Sequence, residues 1–300
     1  MADKGNRINW EIDSGQIMLV GDGKEERIFA VPPVFIEAFR EEIINTAGKA
    51  TFKMMIRKTL ETLGGAAGED QQFDWEDFEQ YNDSQILPVA LDESQIPKDL
   101  IAWDGSSRNL ALVPDYKVST WTVNSFNTLK KVLEDIMTPK GANAILQSAG
   151  KKAGMATGEL SAKFLGWKSI DDILNTFDEH YRNLSPIMGW SRSRASFEKD
   201  DNGEAVILLK LWNSFESRKD HDSTCCVLTS SFFTGNLHKI AEIIDQKTAA
   251  EGREVKCASQ GGDYCAIAIK LKSKDSPHTD WKELEATWKK IEDNSKDLLP

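Results

Sequence analysis

The sequence predicts an α+β protein in which helices pack on an antiparallel sheet. Three observations carry that expectation. Short β-type runs split by Gly and Asp occupy the first thirty residues, over Ile8-Asn-Trp-Glu-Ile, Gly15-Gln-Ile-Met-Leu-Val and Arg27-Ile-Phe-Ala-Val. Apolar residues then recur at helical spacing through the middle of the chain. Near the end, Ile267, Ile269 and Leu271 alternate with other residues, as in a strand with one buried face.

Element by element, Pro32-Pro33 ends the strand region, and Phe35, Ile36, Phe39, Ile43 and Ile44 mark a first helix. Gly48 interrupts it, and Phe52, Met55, Ile56, Leu60 and Leu63 mark a second, stopped by Gly64-Gly65. Residues 66–96 carry Asp70, Asp74, Glu76, Asp77, Glu79 and Asp83 and read as a solvated linker or insertion. The pattern then begins again. Phe126, Leu129, Val132, Leu133 and Ile136 form a helix, Pro139-Lys-Gly141 breaks it, and Ala144 to Gly158 form another, rich in Ala and Gly. This echo of a broken helix pair fits an internal duplication and fits coincidence equally well.

Ile170, Ile173, Leu174 and Phe177 continue helically to Pro186. Ser193 to Glu198 and Ala205 to Trp212 read as a hairpin around Asp200-Asp-Asn-Gly203. A strand or buried segment is expected over Cys225 to Leu228, a helix over Phe233 to Ala249, and a last hairpin over Glu254–Cys257 and Tyr264–Leu271. The charged amphipathic stretch from Trp281 to Ile291 is expected to cap the fold or to serve a dimer contact. The expected divisions are an amino-terminal dimerising region over 1–115, a ligand-binding domain over 116–273 and a carboxy-terminal helix over 274–300.

Composition bounds the function. Hydrophobic residues make up 40% and charged residues 28% of 300, ordinary for a globular chain. A net charge of −11 argues against nucleic acid and anionic membrane as partners, because phosphate neutralisation needs a basic surface. Met1-Ala-Asp-Lys-Gly leads into no apolar signal region and no run is long enough to span a bilayer, so a cytoplasmic protein with reduced thiols is expected. No nucleophile elbow, HExxH or dinucleotide glycine fingerprint occurs: Gly21-Asp-Gly23 lacks a third glycine. A catalytic role is therefore not expected.

All four cysteines lie between 225 and 265. Cys257 and Cys265 flank a Gly-Gly-Asp turn, so a hairpin brings them together, and Cys226 would come from a neighbouring element. Glu254 lies three residues before Cys257, which in an ideal strand places them on opposite faces, so only a bent strand end lets both reach one ion. Three thiolates and a carboxylate would fill a tetrahedral Zn²⁺ site with no open position. The same residues also suit a simple apolar core of buried cysteines. Cys225 is expected to be a spare, since on a strand only one of two adjacent side chains faces inward. Trp190, Phe197, Phe215, Phe232 and Phe233 are candidates either for an apolar pocket or for core filling.

Trp212-Asn-Ser-Phe-Glu216, Cys226, Gly235, Glu254-Val-Lys-Cys257, Gly261, Asp263 and Cys265 together resemble the 4-vinyl reductase domain family. The resemblance spans roughly residues 140–272 and is greatest to the version that senses phenols and related aromatics in bacterial activators of aromatic catabolism. Residues 8–68 resemble the amino-terminal part of those sensors through Gly15-Gln-Ile, Phe39-Arg-Glu-Glu and the helix after Gly48. The resemblance implies a zinc-stapled fold with Zn²⁺ on Cys226, Glu254, Cys257 and Cys265. It also implies a buried pocket for an aromatic or other hydrophobic compound, in which a His and a Trp meet the ligand's polar group. His180 and Trp212 are the matching residues, with Trp190 and Phe233 as further lining. A homodimer or a protein partner follows as an expectation. No G-x-x-x-x-G-K-[ST] loop occurs in these 300 residues, so a whole activator is not expected. The functional expectation is a zinc-containing sensor or binding protein, with a non-catalytic accessory subunit of an aromatic-processing complex as the alternative.

Overall fold

Two meanders of three strands, each followed by a helix pair, build the amino-terminal half. The computed structural model describes residues 7–11, 13–21, 24–31, 33–62, 101–104, 109–112, 116–199, 204–217, 225–296 and 298. The first unit is β1 (Arg7–Glu11), β2 (Gln16–Gly21), β3 (Lys24–Val31), α1 (Pro33–Ala47) and α2 (Lys49–Thr62). The second is β4 (Ile101–Asp104), β5 (Asn109–Leu112), β6 (Tyr116–Thr122), α3 (Val123–Met137) and α4 (Pro139–Leu165). All six strands join in one sheet of order β1-β2-β3-β6-β5-β4, antiparallel throughout, with β3 and β6 at its centre. The broken-helix echo thus extends to a full repeat of three strands and two helices. The expected acidic insertion over 66–96 lies outside the described residues.

The helix breaks differ in chemistry. Gly48, at φ +86, turns between α1 and α2, where a side chain would be strained. In the second unit Thr138 turns at φ +73 and its hydroxyl accepts from the Gly141 backbone N–H at 3.3 Å. Pro139 then opens α4, as proline does where the missing N–H has no helical partner. The break therefore precedes Pro139-Lys-Gly141, and α4 runs on through Gly158 to Leu165 instead of ending there.

The second half contains α5 (Ile170–Ile187), β7 (Arg192–Lys199), β8 (Ala205–Trp212), α6 (Val227–Ile244), β9 (Thr248–Lys256), β10 (Cys265–Ser273) and α7 (Glu283–Asn294). A capping box starts α5: Asp172 N donates to Ser169 Oγ and Ser169 N donates to the Asp172 carboxylate. The strands form a second antiparallel sheet of order β7-β8-β10-β9. Its two faces follow the period of two. Ile207, Leu209, Leu211, Cys265, Ile267 and Ile269 enter the main core, whereas Val206, Leu208, Ala266 and Ala268 meet Leu284 and Ile291 of α7. The carboxy-terminal helix is thus a cap. The expected turn over 200–203 lies outside the described residues, although the β7–β8 pairing itself is present.

Helix α6 is the centre of this half, and α4 crosses it at backbone contact. A Cβ on Gly154 would lie 2.1 Å from the Phe232 carbonyl oxygen, on Gly158 2.5 Å from that of Asn236, on Gly150 2.6 Å from that of Leu228, and on Gly235 2.3 Å from that of Lys151. The Ala- and Gly-rich composition of α4 is therefore a packing seam. Helix α6 begins six residues earlier than the apolar spacing implies, so the stretch from Cys225 to Leu228, expected as a strand or a buried segment, is a largely buried loop and first helical turn.

The two halves share one core. Phe29 stacks on Phe215 with ring centroids 4.1 Å apart, Ala30 N donates to Met188 O at 2.8 Å, and Trp190 Nε1 donates to Ala30 O at 2.6 Å. The first sheet also runs across residue 115, since β6 pairs with β3 and β5. No described helix is long and apolar enough to cross a membrane.

Gly154→Ala is expected to destabilise the protein by ~1–3 kcal/mol or more, because backbone atoms must move apart. Gly141→Ala, where the added carbon meets Met137 Cβ at an ordinary 3.4 Å, should change stability by less than ~1 kcal/mol. Urea unfolding of both variants checks the pair.

Candidate functional site

A β-bulge solves the problem posed by the spacing of Glu254 and Cys257. In the β9–β10 ladder Lys256 pairs with Ala266 but Glu254 pairs with Ile267, so Val255 is the extra residue. One inserted residue shifts the alternation by one, and positions three apart come to the same side. A single 3₁₀ turn over Ala258–Gln260 and Gly261, at φ +88, then return the chain to Cys265.

Cys226 is the N-cap of α6, with φ −84 and ψ 46, so the chain there is not a strand. Both neighbouring thiols consequently turn inward, where only one of the pair was expected to. Cys225 Sγ lies 3.2 Å from Cys257 Sγ, Cys226 Sγ lies 3.3 Å from Cys265 Sγ, and Cys257 Sγ lies 3.8 Å from Cys265 Sγ. One donor atom each from Cys225, Cys226, Glu254 and Cys257 falls within 4.8 Å of the others. All four cysteines are buried and unbridged. That mutually close set contains Cys226, Glu254 and Cys257 of the four expected ligands together with Cys225, and Cys265 adjoins it through Cys226 and Cys257.

The surroundings favour bound charge at this point. Cys226 N donates to Glu254 Oε2 at 2.8 Å, while Glu254 Oε1 is buried with no partner. Ser259 Oγ donates to Cys257 Sγ at 2.9 Å and Ala258 N to Cys265 Sγ at 3.3 Å, which orients the sulfurs. Bonds from Cys225, Cys226 and Cys265 pull the Cys257 thiol far below its usual pKa, so it holds the negative charge. The same contacts and burial push Cys226 well up. Burial, with the Cys257 charge beside it, raises Glu254 to about 9. A soft, tetrahedral dication such as Zn²⁺ matches this donor set and the orphaned carboxylate oxygen.

Two residues without any assigned role in the sequence reading brace the cluster. Lys130 and Glu216 form an ion pair at 3.2 Å with both side chains almost wholly buried. Lys130 Nζ also donates to Cys225 O at 2.6 Å, and Glu216 accepts from the backbone N–H groups of Leu228 and Thr229. Glu216 so caps the amino terminus of α6. Burial works against the Lys130 ammonium, but Glu216 and the cysteines outweigh it and hold its pKa above the ordinary lysine value. The signal for Lys130 was present in the sequence: it sits on the apolar face of α3 with Phe126 and Leu133.

A small apolar cavity of about 50 Å³ lies farther along α6. Phe232, Phe233 and Asn236 of α6, Tyr181, Leu184 and Ser185 of α5, and Met188 and Trp190 after α5 form most of its wall. Trp190 and Phe233 are therefore where a pocket reading needs them, though the Trp190 indole N–H is already spent on Ala30 O. His180 is not a wall residue. Its ring is half-buried beside Trp167 and Tyr181, at centroid distances of 6.0 and 4.7 Å, with Nε2 lacking a partner. Trp212 is on the other side of the sheet, packed against Tyr264 at 5.3 Å. The strand period decides this: Leu211 points into the core, so its successor points out to the α7 side. The polar wall residues Thr157, Ser161, Tyr181, Ser185 and Asn236 had no role in the sequence reading.

No protein-family model and no curated protein matches the chain. Among solved structures, the phenol-responsive sensory domain of the transcription activator PoxR, bound to phenol, is similar at 17% identity and a TM-score of 0.48, over 64% of this chain and 93% of that one. An H-NOX protein from S. oneidensis in its Fe(II)NO state is similar at 9% identity and a TM-score of 0.39, over 80% and 98%. A mutant of the T. tengcongensis H-NOX protein is similar at 11% identity and a TM-score of 0.41, over 83% and 100%.

Burial lowers the His180 pKa to about 4 from its ordinary 6.5. The unfolded chain then binds more protons than the folded one between these values. Stability is fully present above about pH 6.5 and falls as pH drops towards 4, by on the order of 2 kcal/mol. His180→Gln should flatten that part of the profile in urea titrations across this range.

Proposed function

We propose that this chain is a zinc-containing binding protein or sensor for small hydrophobic, chiefly aromatic, compounds, of the 4-vinyl reductase domain type. One observation carries the reading: the cysteine–carboxylate cluster and the apolar cavity share helix α6. Cys226 caps that helix, and Phe232, Phe233 and Asn236, two to three turns on, form cavity wall. The motif Glu254-x-x-Cys257-x-x-x-Gly261-x-Asp263-x-Cys265 supports the family assignment.

Cys226, Glu254, Cys257 and Cys265 would hold the ion, with Cys225 packed beside it. When bound, Zn²⁺ supplies charge compensation and a cross-link between the α6 amino terminus and the β9–β10 hairpin; with four protein donors it offers no open position for hydrolysis. The chain's own residues do the rest. Glu254 holds the Cys226 backbone N–H, Lys130 and Glu216 fix the approach to α6, and the glycine seam sets how deeply α6 sits. The cavity's wall is almost wholly apolar surface, which suits an apolar ligand.

Purified protein should contain one zinc per chain by elemental analysis. Cys257→Ser is expected to lose the metal and several degrees of melting temperature together, whereas Cys225→Ser should retain the metal. Wild-type protein free of stoichiometric metal would overturn the zinc assignment. Separately, a thermal-shift screen of phenols, alkylbenzenes and aromatic ketones should find compounds that stabilise the chain, by ~2.7 kcal/mol at a hundredfold excess over Kd. A screen with no stabilising compound would remove the ligand-binding reading.

A further inference from the structure

Cys225 is the one sulfur of the cluster outside the proposed ligand set, and it touches a sulfur inside that set. Its Sγ lies 3.2 Å from Cys257 Sγ, and both thiols are buried and unbridged. The other close pair, Cys226 and Cys265 at 3.3 Å, consists of two proposed ligands. A metal-bound thiolate shares its electrons with the ion, so Cys225 alone keeps a sulfur ready to attack a neighbour. Cys257 is the sulfur beside it, and it opens the 3₁₀ turn in which Gln260 and Gly261 are exposed. Ser259 Oγ donates to Cys257 Sγ at 2.9 Å, so that sulfur touches a side chain that is itself partly exposed.

We infer that Cys225 and Cys257 form a redox switch, in which a hydroperoxide joins them as a disulfide and withdraws Cys257 from the metal. This rests on the reading of Cys226, Glu254, Cys257 and Cys265 as a zinc site and assigns the regulation of that site. The Cys257 thiolate attacks one peroxide oxygen. The O–O bond breaks, the sulfur becomes a sulfenic acid, and hydroxide leaves and takes up a proton from solvent. The Cys225 sulfur then attacks the Cys257 sulfur, the S–O bond breaks, and water leaves with the Cys225 proton. Two electrons pass from the pair of sulfurs to the peroxide. Cys226, Glu254 and Cys265 remain as donors, one short of a closed tetrahedron. The new bond joins the same two places as the ion, the start of α6 and the chain just past β9, which lie 32 positions apart. One staple replaces the other, so the metal leaves without the fold opening.

The test treats the zinc-loaded full chain with hydrogen peroxide, after elemental analysis has fixed its metal content. Thiols counted after denaturation are expected to fall from four to two. A chromogenic chelator should take up the zinc, while the melting temperature stays several degrees above that of reduced, chelator-stripped protein. Dithiothreitol with added zinc should reverse all three changes. Trypsin leaves Cys225 with Cys226 on one peptide and Cys257 with Cys265 on another, so Cys225→Ser identifies the sulfur. In that variant the linked peptides should be absent and zinc release at least tenfold slower. Fragmentation of the linked wild-type peptides, which should show a Cys225–Cys257 bond, serves if the variant does not fold. Linked peptides that persist in Cys225→Ser, or wild-type protein that keeps its zinc and all four thiols, would overturn the switch and leave the zinc site standing. Wild-type protein without stoichiometric metal before peroxide is added would overturn both.

Discussion

The close crossing of α4 over α6 is the constraint on which the rest of the molecule depends. Four glycines remove the side chains that would otherwise hold two helices 8–10 Å apart, and carbonyl oxygens of one helix meet Cα atoms of the other. That approach sinks α6 until nearly every position on its first three turns is buried, polar ones included. A helix buried on all sides cannot leave its amino-terminal N–H groups to water. Glu216 and Glu254 supply acceptors there, and Lys130 is buried to balance Glu216. The polar apparatus around the cysteines follows from how deep the helix lies.

The same depth explains why the cysteine cluster and the cavity belong to one system. The cluster sits where α6 begins, the cavity where its third turn passes α5 and Trp190. Fastening the start of α6 to the β9–β10 hairpin sets the height of Phe232 and Phe233 against Trp190, whose ring lies 4.6 and 5.9 Å from theirs. Trp190 in turn donates to Ala30 on β3, at the centre of the first sheet. Packed rings and one hydrogen bond thus join the cavity wall to the amino-terminal half.

That half is built from a repeated unit joined across β3 and β6, and its legibility was uneven. The first unit was readable: three strands, the break at Gly48 and both helices stand close to where alternation and helical spacing place them. In the second unit only the helices were readable. The strands over 101–122 are as short as four residues and gain definition from pairing, β6 with β3, β5 with β6 and β4 with β5, not from their own pattern.

Local chemistry in the chain was enough to announce the α+β class and the last hairpin, because turn residues and alternation act between near neighbours, whereas the ligand set Cys226, Glu254, Cys257 and Cys265 was implied by the resemblance. Local chemistry left Trp190 and Phe233 open between a pocket and the core, and the resemblance alone implied a pocket. Three things depended on distant parts of the chain meeting. The bulge at Val255, which lets Glu254 and Cys257 share a side, exists only because β9 is paired to β10. The inward turn of Cys225 follows from α6 starting at Val227 with Cys226 as its N-cap. The exclusion of Trp212 from the cavity, and the recruitment of Asn236 and Ser185 to its wall, follow from which face of β8 meets the core and which helix faces converge. These are consequences of packing between elements far apart in sequence, and no local pattern encodes them.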